Sequence, residues 1–371
     1  MHNSPPLKVA IIHYWLVNMR GGERVVEALC EMFPQAEIFT HVYVPEAISA
    51  TIRKHKIHTT FIQRLPKAAK LYQSYLPLMP IALQQLDLRE FDLVISSESG
   101  PSKGVVVSPS ARHICYCHSP MRYVWDMYPD YLRNAGLIKR WLMPPLIHYL
   151  RIWDYFTAGG VDLFVANSRY VASRINRYYR REARVIAPPV DTNEFQPVNE
   201  VGDFYLLFGQ LVSYKRPDLV VEAFNQNGLK LIVIGEGELS SSLKKMSKNN
   251  ITFLDRQPFE IVRDHLAKCR ALIFPGLEDF GIVPVEAMAS GRPVIAYGRG
   301  GVLDSVIDGK TGVFFHQQSV DALNEAIELF EKDFEKFNSV KIVEHARSFS
   351  KGRFIKEFMT LVDKTLDERN D

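Results

Sequence analysis

The chain has 371 residues, enough for two domains that each bury a core, and its 47% apolar and 23% charged shares exclude a disordered or fibrous protein. A net charge of +3 argues against a dedicated nucleic-acid binder, but residues 1–196 hold 23 Lys/Arg against 16 Asp/Glu while 197–371 hold 22 against 26, so an anionic surface would meet the first half. Four cysteines are too few for a disulfide scaffold, and with no signal peptide in Met1 to Lys8 and no apolar run near the ~18 residues of a spanning helix, buried thiols in a reducing cytoplasm are expected.

Leu7 to Trp15 is a nearly continuous apolar run, the pattern of a strand covered on both faces. Gly21-Gly22 follows, then a helical pattern through Cys30 with Val25, Val26, Leu29 and Met32 at helical spacing. Strand, glycine turn and helix open a doubly wound α/β domain, and a Gly-Gly pair before a helix lets phosphate approach free amides. Further strands are expected at Ala36 to Tyr43, Asp92 to Ser96, Gly104 to Val107, His113 to Cys117 and Asp162 to Ala166. His118 then sits at the carboxyl end of a strand, where open α/β sheets bind ligands, and Asn167-Ser168 reads as a helix N-cap.

Arg64 to Ile81 and Leu137 to Trp153 mix Leu, Met, Trp and Tyr with Lys67, Lys70, Lys139, Arg140 and Arg151, a composition suited either to an in-plane contact with anionic lipid or to core packing. Arg174, Arg177, Arg180, Arg181 and Arg184 cluster on and after a helix, as a solvated basic face or as an acceptor-phosphate or headgroup site. Ala187 to Asp203 is a Pro-containing polar linker, dividing a first domain (1–190) from a second (200–349).

The second half repeats the architecture. Strands are expected at Phe204 to Phe208, Leu229 to Ile234, Ile251 to Leu254, Ala271 to Phe274, Pro293 to Ala296 and Gly312 to Phe314, with a helix from Pro217 to about Asn225 and amphipathic helices at Ser319 to Phe330 and Ser350 to Leu366. Alternation of this kind gives a parallel sheet with helices on both faces. The most informative stretch is Phe274 to Gly291. An apolar strand ends there, Pro284 falls in a first helical turn, and the amides of Phe280, Gly281 and Ile282 are offered to an anion, with Glu278 before and Glu286 one turn in. Sugar, diphosphate and ribose fit carboxylate, amides and carboxylate in that order.

The E-x7-E spacing of Glu278 and Glu286, within P-x-x-E-x-F-G-x-x-x-x-E-A-M-A-x-G, resembles glycosyltransferase family 4, retaining enzymes of the GT-B fold. Tyr116 to Asp126, with Cys117-His118-Ser119-Pro120-Met121-Arg122-Tyr123-Val124-Trp125, is similar to a narrower mannosyltransferase-like group that extends lipid-linked bacterial surface polysaccharides. The resemblance implies two Rossmann-like domains facing across a cleft, with residues 350–371 returning to the first domain. It assigns Gly21 and Gly22 to the donor diphosphate, His118 and Glu278 to the donor sugar, Lys215 to the phosphates and Glu286 to the ribose. Gln210 stands where the family commonly has arginine, and Arg216 is the candidate substitute. Phe280, Gly281 and Ile282 complete the donor seat, and Arg122, Tyr123 and Trp125 are the acceptor candidates.

The implied reaction moves a hexose, foremost mannose from GDP-mannose, onto a lipid-linked oligosaccharide with retention and without metal or other cofactor; no Asp-x-Asp occurs in the chain. O-antigen, capsule or exopolysaccharide synthesis at the inner face of the cytoplasmic membrane is the expected setting. A GT-B epimerase acting on the nucleotide-sugar and a catalytically inactive scaffold, the latter supported by Gln210, are the competing readings. Asp255, where relatives often have glycine, lies in the stretch Leu254 to Phe259 expected to contact the base.

Overall fold

The computed structural model describes residues 7–133 and 136–368, so the first six residues and the last three lie outside the description, as do the side chains of Asp130 and of Leu137, Ile138 and Lys139. The chain divides into two compact units, 1–188 with 354–371, and 189–353.

Seven strands build the first unit: β1 (Val9–His13), β2 (Glu37–Thr40), β3 (Lys56–Thr59), β4 (Leu93–Glu98), β5 (Arg112–Cys117), β6 (Leu163–Ala166) and β7 (Ala183–Val185). They pair in parallel in the order β3-β2-β1-β4-β5-β6-β7. Parallel strands need long crossovers, and the helices that supply them cover both faces, so β1 and β4 are buried along their whole length. The Gly21–Met32 helix lays Val25, Val26 and Leu29 on Ile11, Ile95 and Ile114. Phe354, Phe358 and Val362 of the final helix, Lys351–Asp367, join the same core, and the rings of Phe354 and Phe358 stand 5.6 and 6.3 Å from that of Tyr116.

The second unit holds β8 (Phe204–Phe208), β9 (Lys230–Ile234), β10 (Ile251–Asp255), β11 (Leu272–Phe274), β12 (Val294–Tyr297) and β13 (Gly312–Phe315), parallel in the order β10-β9-β8-β11-β12-β13. Both units are thus doubly wound α/β sheets. In each, the order reverses beside one strand: β1 lies between β2 and β4, and β8 between β9 and β11. Crossovers leave such a neighbouring pair in opposite directions, opening a crevice past the carboxyl ends of β1/β4 and of β8/β11.

Several elements differ from expectation. Gly104 to Val107 is no strand: Ser102–Gly104 forms a single turn that buries Lys103, Gly104 lies under the Trp153 ring, and Val106 is exposed. The edge strands β3 and β7 lack apolar runs, because an edge strand buries little. β3 is held instead by Glu37, which meets Lys56 at 3.0 Å and His58 at 2.5 Å. The Ser339–Arg347 helix, capped by Asn338, went unread.

Because Phe358 is fully buried, Phe358→Ala is expected to cost about 3–5 kcal/mol. All four tryptophans lie at 15, 125, 141 and 153, so urea unfolding followed by tryptophan fluorescence reports on the first unit; an unshifted midpoint would show that the last helix is not part of its core.

Candidate active site

In the second unit the crevice past β8 and β11 gathers Gly209, Gln210, Lys215, Gly276 and Glu278 around a small pocket. Lys215 ends a single helical turn, Ser213–Lys215, and its Nζ stands 2.8 Å from Glu278 Oε1, each side chain about one fifth exposed. Three close approaches fix this geometry. The loop after β8 lies on the loop after β9, where a Cβ on Gly235 (φ +139°) would stand 1.8 Å from the Gly209 carbonyl oxygen. Gly276 lies against the Lys215 backbone, its absent Cβ 3.0 Å from Lys215 Cα. Gly301 N–H donates to the Glu278 carbonyl at 2.9 Å, and side chains on Gly300 and Gly301 would collide with the 278–280 backbone.

The Ile282–Ala289 helix starts after Gly281, which takes φ +87° at the N-cap, a conformation glycine adopts without Cβ strain. Helical geometry leaves the amides of Gly281, Ile282 and Val283 without intrahelical acceptors. Phe280 turns inward, its ring buried 5.8 Å from that of Phe349, so it anchors the turn and offers backbone alone. Gly281 is buried as well, whereas Ile282, Val283 and Glu286 are half-buried. Arg216 is directed elsewhere: at φ +53° before Pro217, its guanidinium grips Asp218 at 3.0–3.1 Å. Gln210 is exposed at the pocket. Asp255 also takes a left-handed φ, +54°, at an irregularity in β10, which explains why glycine suits that position; its carboxylate meets Lys244 at 2.5 Å.

In the first unit the corresponding crevice brings together residues the sequence separated and several it did not single out. A Cβ on Gly22 would lie 3.7 Å from His118 Nε2, 3.5 Å from His13 Cε1 and 3.0 Å from the Tyr14 hydroxyl. Ser97 Oγ lies 2.8 Å from His118 Nε2 and 3.1 Å from His13 Nδ1, and His13 Nε2 faces Glu23 Oε1 at 3.9 Å. A hydroxyl has one proton, so Ser97 donates to one imidazole and accepts from the other, coupling their tautomers. His13, Ser97 and Glu23 were legible only by the rule that named His118, position at a strand's carboxyl end or a helix's first turn. Burial, assisted by His13, pushes His118 down to about 3, so it meets a ligand as a neutral ring.

Comparison with known proteins fits this geometry. Residues 19–194 match the family model described as Glycosyltransferase Family 4, and residues 191–348 the model described as Glycosyl transferases group 1. The chain belongs to these glycosyltransferases. It is similar to the alpha-1,3/1,6-mannosyltransferase ALG2 of Dictyostelium discoideum, 26% identical over 58% of this chain and 61% of that protein. It also resembles the GDP-mannose-dependent alpha-(1-6)-phosphatidylinositol monomannoside mannosyltransferase of Mycolicibacterium smegmatis, 27% identical over 45% of this chain and 52% of that one. The matches therefore span little more than half the length of these relatives. Among solved structures, Anabaena HepE in complex with UDP-glucose superposes with a TM-score of 0.66 at 17% identity, covering 96% of this chain and all of that one, which shows the GT-B fold.

Other candidate residues of this glycosyltransferase are engaged within the protein. Trp125, half-buried, donates from Nε1 to Asp154 at 2.7 Å and stacks on Tyr178. Arg122 reaches Met127 Sδ at 3.9 Å, while Tyr123 lines a pocket and has a buried hydroxyl that finds no hydrogen-bond partner among the described residues. Arg174 is buried, bonded to Ser119, Pro120 and Asp126, and Arg181 binds the carbonyls of Ala158 and Val161. Arg177, Arg180 and Arg184 are the exposed remainder of that cluster. Asp154 is fully buried, paired with Lys103 and bonded by Tyr179.

Burial pushes His41 to about 3 and His113 to about 4. Their folded values lie below the unfolded 6.5, so the unfolded chain binds more protons under acid. The stability they contribute is complete above pH 6.5 and is lost as pH falls toward 4, by about 1.4 kcal/mol per unit for each histidine. Thermal unfolding recorded from pH 7.5 to 4.5 is expected to show this fall, with a shallower slope in His113→Gln.

Proposed function

We propose that this glycosyltransferase is a retaining, metal-independent hexosyltransferase that moves mannose from GDP-mannose onto a lipid-linked oligosaccharide at the inner face of the cytoplasmic membrane. The observation that carries the reading is the Lys215–Glu278 pair, 2.8 Å apart in the β8/β11 crevice, with the N-terminus of the Ile282–Ala289 helix beginning four residues after Glu278. A diphosphate entering there competes for Lys215, which releases Glu278 toward sugar hydroxyls. Lys215 and the helix amides then stabilise the departing phosphate, and Glu286 takes the ribose. The bond from the anomeric carbon to the phosphate oxygen breaks as the acceptor oxygen bonds the same face, and the acceptor proton passes to the diphosphate. By the resemblance Gly21 and Gly22 face the diphosphate, and neutral His118 exchanges one hydrogen bond with a sugar hydroxyl.

Mannose as the transferred sugar is supported by the names of the two mannosyltransferase relatives, and GDP as the base by one of them. Surface-polysaccharide synthesis rests on the Tyr116 to Asp126 resemblance, and the name ALG2 carries nothing toward it. The basic first half, and a described chain in which no helix is long and apolar enough to cross a membrane, agree with peripheral contact. With Gln210 uncharged and Arg216 held by Asp218, leaving-group stabilisation rests on fewer cations than in the family pattern.

Thermal shift against GDP, UDP, ADP and their sugars tests the donor. At a hundred times Kd the preferred nucleotide is expected to add about 2.7 kcal/mol, and both Lys215→Ala and Glu286→Ala to remove most of that gain. Removing the competing carboxylate with Glu278→Gln is expected to tighten GDP binding roughly fivefold, the ~1 kcal/mol of a partly exposed pair, while slowing transfer. Weaker GDP binding in that variant would contradict the competition. Radiolabelled donor separates the enzyme classes: a transferase releases labelled sugar slowly to water, an epimerase interconverts the donor, and an inactive scaffold does neither.

A further inference from the structure

A second pocket lies within the first unit, lined by residues other than Gly22 and His118. It has a volume of about 270 Å³, walled by Trp15, Leu76, Tyr123, Tyr131, Met143 and Ile147 with Gln73 its one amide. Among the described residues no charged side chain lines it. A site for a sugar would bring several hydrogen-bonding groups to one point, whereas this one offers an amide and phenols among aliphatic and aromatic walls. An apolar cavity of 150 Å³ accommodates a benzene ring, so this volume suits about ten to twelve carbons of chain.

The helix that supplies Met143 and Ile147, Leu137–Thr157, also displays apolar side chains outward: Trp141 is 84% exposed, Leu142 64% and Phe156 72%, with Tyr149 and Ile152 between them. Its single acidic residue, Asp154, is buried, while Arg140 is exposed, so the outward face carries positive charge and no carboxylate. Pro144 and Pro145 remove two amide donors, leaving the Arg140 and Trp141 carbonyls without helical partners. Such carbonyls need water or a polar headgroup, which keeps this turn out of hydrocarbon.

We infer that this pocket holds the first stretch of the hydrocarbon chain of the lipid acceptor, drawn in along the apolar face of the Leu137–Thr157 helix. The inference rests on the lipid-linked acceptor of the preceding section. Affinity comes from chain burial, and the charge and sugar of the acceptor remain outside.

The test uses the full chain and a ten-carbon isoprenyl phosphate below its micelle concentration, with inorganic phosphate and a methyl glycoside as controls. Tryptophan fluorescence, to which Trp15 in the wall contributes, and calorimetry read the binding. One saturable site is expected for the isoprenyl phosphate and none for the controls. Met143→Trp, which fills the pocket from a half-buried position, is expected to weaken binding at least tenfold while the GDP thermal shift stays unchanged; Gln73→Trp, at an exposed position, serves if the first variant unfolds. Equal binding by variants and wild type, or occupation by the methyl glycoside, overturns the inference. So does loss of binding to anionic phospholipid vesicles in the same variants with isoprenyl phosphate binding intact, since the pocket would then be an anchor for bulk lipid. Chain binding without a GDP shift would instead sink the donor reading and leave the pocket standing.

Discussion

Parallel strands cannot be joined by tight turns, and that constraint governs everything else in this chain. Each crossover must carry a helix over one face or the other, so each sheet contains a place where the winding changes direction. There the strand ends are left uncovered. In the first unit that place is β1/β4 and in the second β8/β11. His13, Ser97, Gly209 and Pro275 all fall at or just past those ends, and Lys215 and Glu278 are delivered by the loops that leave them. The chemistry is therefore confined to side chains whose backbone is rigid on one side and open on the other.

The cost of such a site is electrostatic crowding, and the two units meet it differently. The second sets opposite charges together, Lys215 against Glu278, at the edge of solvent where neither needs full desolvation. The first buries its polar groups. His13, Ser97 and Glu23 are almost wholly enclosed, and deeper still Glu98, Lys103 and Asp154 form a cluster with no solvent exposure. Burial drives Glu98 up to about 7 against the pull of Lys103, the balance expected when desolvation outweighs a neighbouring cation.

Local pattern made the central strands and the Glu278 to Gly291 stretch legible, since burial on both faces forces continuous apolar runs and a helix start needs its glycine and proline. The edge strands were opaque for the complementary reason: Lys56 to Thr59 has little to bury. Fold and family were thus within reach of the sequence, but the destinations of single side chains were not. Trp125, Arg174 and Arg216 look on paper like ligand-facing groups, and each is claimed by a partner that pattern does not reveal: Asp154, Asp126 and Asp218. The Ser97 bridge between two histidines joins strands 84 residues apart, a pairing that no local pattern encodes.

The last helix has a temporal consequence. Phe354, Phe358 and Val362 complete a core whose other members were all made by residue 186, so a nascent chain emerging in order holds an unfinished apolar surface while the whole intervening unit is synthesised. The intervening unit, contiguous in sequence, is free to fold first, and the earlier one closes only afterwards, around a segment synthesised later than the whole of that unit.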